Sequence, residues 1–389
     1  MDAVFYSFAA RYVIKLKEAN CIKKHFLVME KKKYSVIAGS GCYIPTRKIF
    51  NIDFLKHQFF GPDGLKLEKD DEDIIRQFQH ITGIDERRYV TDDLVSSDIA
   101  YFAAKEALTS SGIDPETLNY IIVAHNFGDI SVENYHSEFV PALAARVKNK
   151  LKINNPDAVG YDIIFGCAGW LQAMIQADYY IRTGTAKRVL VIGAETLSRI
   201  ADPHDRDSMI YADGAGAVIL QSVESDTPVG ILAHTTQSFS VELANVLRMG
   251  KSNNPDYKGT NLFLKMEGRL LYEHALKIVP KVIKKSIDAA GVSIESIDKL
   301  LIHQANNKMD EAILKRLFAE YNIKEIPDNI MPMTISWLGN SSVATLPTLY
   351  DLLIKCKMGE QHMTAGRNIV FASVGAGVNV NSVVYKVPE

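Results

Sequence analysis

The stretch Gly112-Ile113-Asp114-Pro115-Glu116-Thr117-Leu118-Asn119-Tyr120-Ile121-Ile122-Val123-Ala124 closes one helix-like run and opens a strand-like one. It has a counterpart in Gly291-Val292-Ser293-Ile294-Glu295-Ser296-Ile297-Asp298-Lys299-Leu300-Leu301-Ile302-His303. Upstream of each lies an apolar-faced helical pattern, Ser97 to Ser111 with Ala103, Ala104, Ala107 and Leu108, and Val282 to Ala290. Glu116 and Glu295, Leu118 and Ile297, and Ile121 and Leu300 correspond at one offset of about 180 positions, too long a period for a solenoid. Helix followed by buried strand is α/β grammar, and its recurrence predicts a duplicated α/β domain.

Two more echoes extend the pattern. Arg188-Val189-Leu190-Val191-Ile192-Gly193 returns as Asn368-Ile369-Val370-Phe371-Ala372-Ser373, each a buried strand ending in small residues. Phe165-Gly166-Cys167-Ala168-Gly169-Trp170 leads into an apolar helix through Leu171, Met174, Ile175 and Ile181. Gly339-Asn340-Ser341 leads into another through Ala344, Leu346, Leu349 and Leu353. If the halves pack about a pseudo-twofold axis, Cys167 and Asn340 stand at equivalent helix starts, facing one another. A cysteine there meets unpaired backbone N–H groups and the positive end of the helix dipole, which favour thiolate over thiol. His303 follows the second-half strand and could join them.

Composition narrows the function classes. The 389 residues are 47% hydrophobic and 23% charged with net charge -2, so no global basic field favours nucleic acid or an anionic membrane. Cys21, Cys42, Cys167 and Cys356 are scattered, without disulfide-scaffold density or paired metal-ligand spacing, which suits a reducing cytoplasm. No run is long enough to span a bilayer. Residues 1–33 are lysine-rich and read as a peripheral N-terminal extension, with Met29 as a possible alternative start. The expected division is 34–225, a half with the nucleophilic cysteine, and 226–389, a half with the histidine and asparagine. Gly39-Ser40-Gly41 and Pro45-Thr46 read as a turn after a strand at Tyr34 to Ala38. The acidic Lys69 to Asp73 reads as part of a surface excursion, and Asp213-Gly214-Ala215-Gly216-Ala217 as tight packing rather than a dinucleotide fingerprint.

With these motifs the chain resembles the thiolase-fold condensing enzymes, within them the β-ketoacyl-acyl-carrier-protein synthase III branch. The resemblance rests on Cys167-Ala168-Gly169, Asp202-Pro203-His204-Asp205-Arg206, Asp213 to Val218, His303-Gln304-Ala305-Asn306, Gly339-Asn340-Ser341-Ser342 and Gly375-Ala376-Gly377, in the family's order. It implies layered α-β-α-β-α architecture and a Cys167, His303, Asn340 site. Cys167 would carry the acyl group, backbone N–H groups of Cys167 and Ala376 would form the oxyanion hole, and neutral His303 with Asn340 would hold the enolate of a decarboxylated malonyl thioester. It further implies acyl carrier protein and an acyl-CoA or acyl-carrier primer as partners, a homodimer, no metal, and no cofactor beyond the thioesters.

Departures from the family pattern concern the substrate. Arg206 matches the arginine that helps hold the coenzyme A adenine, but Gln77 stands where the stacking tryptophan is expected and Ile81 replaces a second arginine. Lys308 replaces a carrier-docking arginine, keeping the charge without the bidentate fork. Val374 replaces phenylalanine beside the cysteine, and Phe139 with Val140 lie where relatives lend an aromatic side chain to the partner's acyl pocket. The expected reaction is decarboxylative Claisen condensation initiating fatty-acid synthesis. Alternatives are a specialised enzyme of aryl-lipid or polyketide synthesis, a non-catalytic partner subunit, and a thioester hydrolase.

Overall fold

The computed structural model describes residues 32–389. The expected N-terminal extension lies outside the described residues except for Lys32 and Lys33, which already belong to the first strand, β1 (Lys32–Tyr43). Gly39-Ser40-Gly41, which composition assigns to a turn, continues this strand, paired antiparallel with β5 (Asp213–Ser225). The reason is what packs above it. A β-carbon on Gly39 or Gly41 would collide with Ala103, Ala107 or Ser111 of the helix lying across the strand.

The acidic run also changes meaning. Asp71, Glu72 and Asp73 form the first turn of α1 (Asp71–Thr82), where negative charge complements the helix dipole. Its inner face, Ile74, Phe78 and Thr82, packs toward the buried Arg87, whose guanidinium lies 4.8 Å from the Phe54 ring centroid and donates to Met209 O and Asn51 Oδ1. The excursion is thereby locked to the turn carrying Arg206.

The first sheet has order β1-β5-β4-β2-β3, with β2 (Tyr120–Ala124), β3 (Val159–Ile163) and β4 (Arg188–Thr196). The second has order β6-β9-β8-β7, formed by β6 (Gly230–Ser238), β7 (Ile297–Ile302), β8 (Asn368–Gly375) and β9 (Asn379–Lys386). Both sheets run antiparallel, antiparallel, then parallel across their first four strands. Ile121 pairs with Leu190, and Leu300 with Val370, so the sequence echoes occupy matching ladder positions. Among the described residues the second sheet has no counterpart to β3. There the chain meets β7 through the Leu300 N–H to Ile330 O bond and the Lys299 Nζ bond to Asn329 O.

Five layers follow. Helices α2 (Ser96–Ser111) and α3 (Leu143–Leu151) cover the outer face of the first sheet. Helices α4 (Gly169–Arg182) and α7 (Thr345–Ile354) lie between the sheets, where Trp170, Met174, Leu346 and Leu349 share one core with Val191, Val218, Phe371 and Val383. Helices α5 (Gly268–Ala290) and α6 (Asn307–Ala319) cover the second sheet. Apolar residues on most sides of α4 and α7 follow from burial between two sheets. Gly216 has no room for a β-carbon because Pro347 and Thr348 of α7 press against it.

Helix α5 starts well before the expected Val282 and runs through Pro280. Proline leaves the Leu276 carbonyl without its helical N–H, and Arg316 Nη1 of α6 donates to it at 3.1 Å. A neighbouring helix thus compensates for a residue that reads locally as a stop.

Candidate active site

Cys167, His303 and Asn340 line one cavity of about 390 Å³ with Ser342, Val374 and Ala376. Beyond β3 the chain turns at Gly166, φ 59°, and Cys167 sits in the single turn Gly166–Ala168 that runs into α4. Asn340 follows Gly339, φ 67°, just before the start of α7. His303 is the first residue beyond β7, its backbone N–H bonded to Ala372 O at 2.8 Å. Gln304 then ties that strand end to the Asn340 segment, its side chain bonding Pro332 O and the Thr334 and Ile335 backbone N–H groups.

The two halves interlock around the cysteine. A side chain on Gly375 would strike the Cys167 backbone nitrogen, and one on Gly166 would strike that of Ala376. This close approach brings the Gly166–Cys167 and Gly375–Ala376 backbones together at the cavity that both Cys167 and Ala376 line. Ser373 Oγ donates to Cys167 O at 3.0 Å, and Asn381 Nδ2 to Ala168 O at 3.2 Å, so the second half clamps the cysteine turn.

Burial decides the electrostatics. It pushes the Cys167 thiol up to about 11, against the downward pull of the Ser342 hydroxyl and the Cys167 backbone N–H. At neutral pH the resting group is a thiol, contrary to the thiolate expected from the helix start, because desolvation outweighs these donors. Burial also lowers His303 to about 4, so its ring stays neutral, and its Nδ1 has no partner among the described residues. Asn340 Oδ1 accepts the Ser342 backbone N–H at 2.8 Å, leaving its NH₂ end to serve the cavity.

A second cavity of about 400 Å³ shares Ile210, Met266, Leu271, Ala305 and Met309 with the first and therefore adjoins it. Gln77, Ile81 and Arg206 line this outer space. Lys308 lines neither; it is exposed in the first turn of α6, where a cation opposes the helix dipole. Phe139 also lines neither. It is 42% exposed, its ring 6.0 Å from that of His125.

Sequence reasoning did not single out Asn126, Glu195 or the role of Ser342, although an acid inside Val-Leu-Val-Ile-Gly-Ala-Glu at 189–195 is a signal, because a buried charge requires partners. Away from the cavity, Cys42, Glu106 and Asp351 place ligand atoms within 4.8 Å of one another. Lys355 bonds both carboxylates, at 2.6 and 2.7 Å, and supplies their cation.

Paired sheets, a central helix layer and a cysteine, histidine and asparagine converging at its edge define a condensing enzyme of the thiolase fold. The sequence model of 3-oxoacyl-[acyl-carrier-protein] synthase III matches residues 161–238, and that of its C-terminal domain residues 287–387. The 3-oxoacyl-[acyl-carrier-protein] synthase III of Aquifex aeolicus is 29% identical, with TM-score 0.72 over 90% of this chain and 99% of that one. The Thermus thermophilus β-ketoacyl-[acyl carrier protein] synthase III is 27% identical, with TM-score 0.73 over 90% and 99%. The priming β-ketosynthase of the R1128 polyketide pathway, 22% identical, shares the fold with TM-score 0.75 over 94% and 99%. The chain belongs to the 3-oxoacyl-[acyl-carrier-protein] synthase III-like condensing enzymes of the thiolase superfamily. Among the described residues no helix is long and apolar enough to cross a membrane.

Proposed function

We propose that the enzyme condenses an acyl thioester primer with malonyl-acyl-carrier protein to start fatty-acid synthesis, with residues 34–225 supplying Cys167 and residues 226–389 supplying His303 and Asn340. The observation that carries this reading is the meeting of these three side chains in one cavity, where the backbone nitrogen of Cys167 lies against Gly375 and that of Ala376 against Gly166. Cys167 Sγ attacks the primer carbonyl. The thiol proton leaves with the departing donor thiol, and the acyl group remains as a thioester. The Cys167 and Ala376 N–H groups stabilise the transient oxyanion.

The malonyl group then loses carbon dioxide, and its electron pair becomes an enolate on the thioester. His303, kept neutral by burial, and the Asn340 NH₂ donate to the enolate oxygen without competing as a counter-charge. The carbanion attacks the acyl carbon, forming the carbon–carbon bond and releasing the Cys167 thiolate, which takes a proton. This sequence uses the thioesters alone, without a further cofactor.

Arg206 belongs with the thioester carrier in the outer cavity, and Val374 with the acyl group beside Cys167. Gln77 offers no aromatic face to adenine, which favours a primer delivered by carrier protein. Lys308 belongs to docking of that acidic carrier, in the cytoplasm. A homodimer fits the exposed Val140 and Ile164 near the edge strand β3. Ile164 lines the inner cavity while 61% exposed, so a second subunit with its Phe139 would close the acyl site.

Incubation with a panel of acyl-CoA and acyl-carrier donors followed by intact mass measurement tests the reading. It requires a stable acyl adduct that disappears in Cys167→Ala. Absence of an adduct with every donor would identify a non-catalytic subunit, and rapid release without malonyl donor a hydrolase.

A further inference from the structure

We infer that the Ser342 hydroxyl is a further catalytic group, aimed at the Cys167 sulfur by Asn126 and Glu195. The inference rests on Cys167 being the acyl-accepting nucleophile. Ser342 Oγ donates to Cys167 Sγ at 3.3 Å. Asn126 Nδ2 reaches Ser342 Oγ at 3.4 Å and Glu195 Oε2 at 2.7 Å, and the Asn126 backbone N–H bonds the same Glu195 oxygen at 3.1 Å. The chain joins three strand or helix ends, with Glu195 at the end of β4, Asn126 beyond β2 and Ser342 before α7.

Its polarity is set from the buried end. Glu195 Oε2 accepts the Asn126 backbone N–H, and any proton the acid holds belongs on its unpartnered Oε1, so Oε2 is an acceptor in either state and fixes the NH₂ end of Asn126 toward itself. That group has two protons, one for Glu195 and one for Ser342. A serine oxygen accepting from Asn126 is free to direct its own proton to the sulfur. The hydroxyl then stabilises negative charge on Cys167 when the thiol is deprotonated and when condensation expels the thiolate.

Ser342 also holds an uncommon backbone conformation, φ 53° for a residue with a β-carbon. In that conformation its backbone N–H holds Asn340 Oδ1 at 2.8 Å while its hydroxyl faces Cys167. One residue thus orients both the acyl-carrying side chain and an enolate-binding one. The titratable groups facing Cys167 are Glu195, His303 and Tyr211, and Glu195 itself faces His125 and Asp213.

The test is the rate of Cys167 alkylation by iodoacetamide from pH 6 to 10, followed by peptide mass on the full chain, in wild type, Ser342→Ala, Asn126→Ala and their double variant. Thermal unfolding identifies any variant that fails to fold. Ser342→Ala should slow alkylation at pH 8 by about 5-fold, as expected for one lost hydrogen bond, and lower the rising limb of the profile by the same factor up to pH 10. Asn126→Ala should lower it by less, and the double variant should match Ser342→Ala, because Asn126 acts through the hydroxyl. Unchanged profiles in folded variants, or additive effects in the double, would overturn the relay. If wild-type Cys167 takes neither iodoacetamide nor an acyl group from any donor, the underlying assignment of the nucleophile fails instead.

Discussion

The backbone of Gly375, at the end of β8 in the second half, lies against the backbone nitrogen of Cys167 in the first, with no space for a β-carbon between them. Gly375→Ala therefore separates the Cys167 and Ala376 nitrogens. Burst kinetics should show acylation slowed by about 100- to 1,000-fold, the scale of one lost oxyanion donor, with little change in KM. Thermal unfolding should show a loss of about 1–3 kcal/mol from overpacking. Unchanged acylation would remove Ala376 from the oxyanion site.

The role proposed for His303 predicts that the two half-reactions separate. His303→Ala should retain acyl transfer to Cys167 and lose decarboxylation of the malonyl thioester. Failure of acylation would instead make the imidazole chiefly the base for the thiol, which rests protonated at neutral pH.

The neutral state of His303 has its own pH signature. Folded His303 protonates only near 4, so its donor N–H remains without a positive charge down to about pH 5. Carbon dioxide release from a malonyl thioester by Cys167→Ala, which removes acylation from the readout, should be flat from pH 8 to 5. An acid limb near the ordinary imidazole value would contradict the role given to burial.

Glu195 links the site to stability. Folded Glu195 holds its proton up to about 7, whereas the unfolded chain releases it near 4.5, so the unfolded state binds fewer protons between these values. Wild-type stability therefore falls as pH rises through this window, by about 3 kcal/mol at most. Glu195→Gln removes this ionisation, so its stability relative to wild type should be greater at pH 8 than at pH 5 in denaturant titrations. The same difference at both pH values would show that Glu195 ionises without cost.

The outer cavity predicts a carrier preference. Gln77→Trp restores an aromatic face on the wall that holds Arg206. It should lower KM for acyl-CoA by about 2- to 5-fold, the scale of an exposed stacking or cation–π contact, and leave KM for acyl-carrier donors unchanged. Equal effects on both would place the adenine elsewhere.

Local patterning alone marks the duplication and singles out Cys167, His303 and Asn340 as candidates, and the structure sets all three on one cavity. The matched pairs Ile121 with Leu300 and Leu190 with Val370 are local apolar patterns, repeated because each half builds the same buried ladder. Cys167 and Asn340 were legible because each follows a small-residue turn and precedes an apolar helix, and local spacing suffices to show that.

Only tertiary structure decided what those patterns mean where a distant segment completes them. Gly39 and Gly41 are strand rather than turn because α2 closes on them, and Pro280 stays within a helix because Arg316 serves the freed carbonyl. Desolvation by both halves keeps Cys167 a thiol against the pull of its helix start. The hydroxyl aimed at that sulfur comes from Ser342, 175 positions away. Hydrogen bonds and desolvation act over a few ångströms in space, whereas sequence records only distance along the chain, so the candidate nucleophile is visible there and its electrostatic surroundings are not.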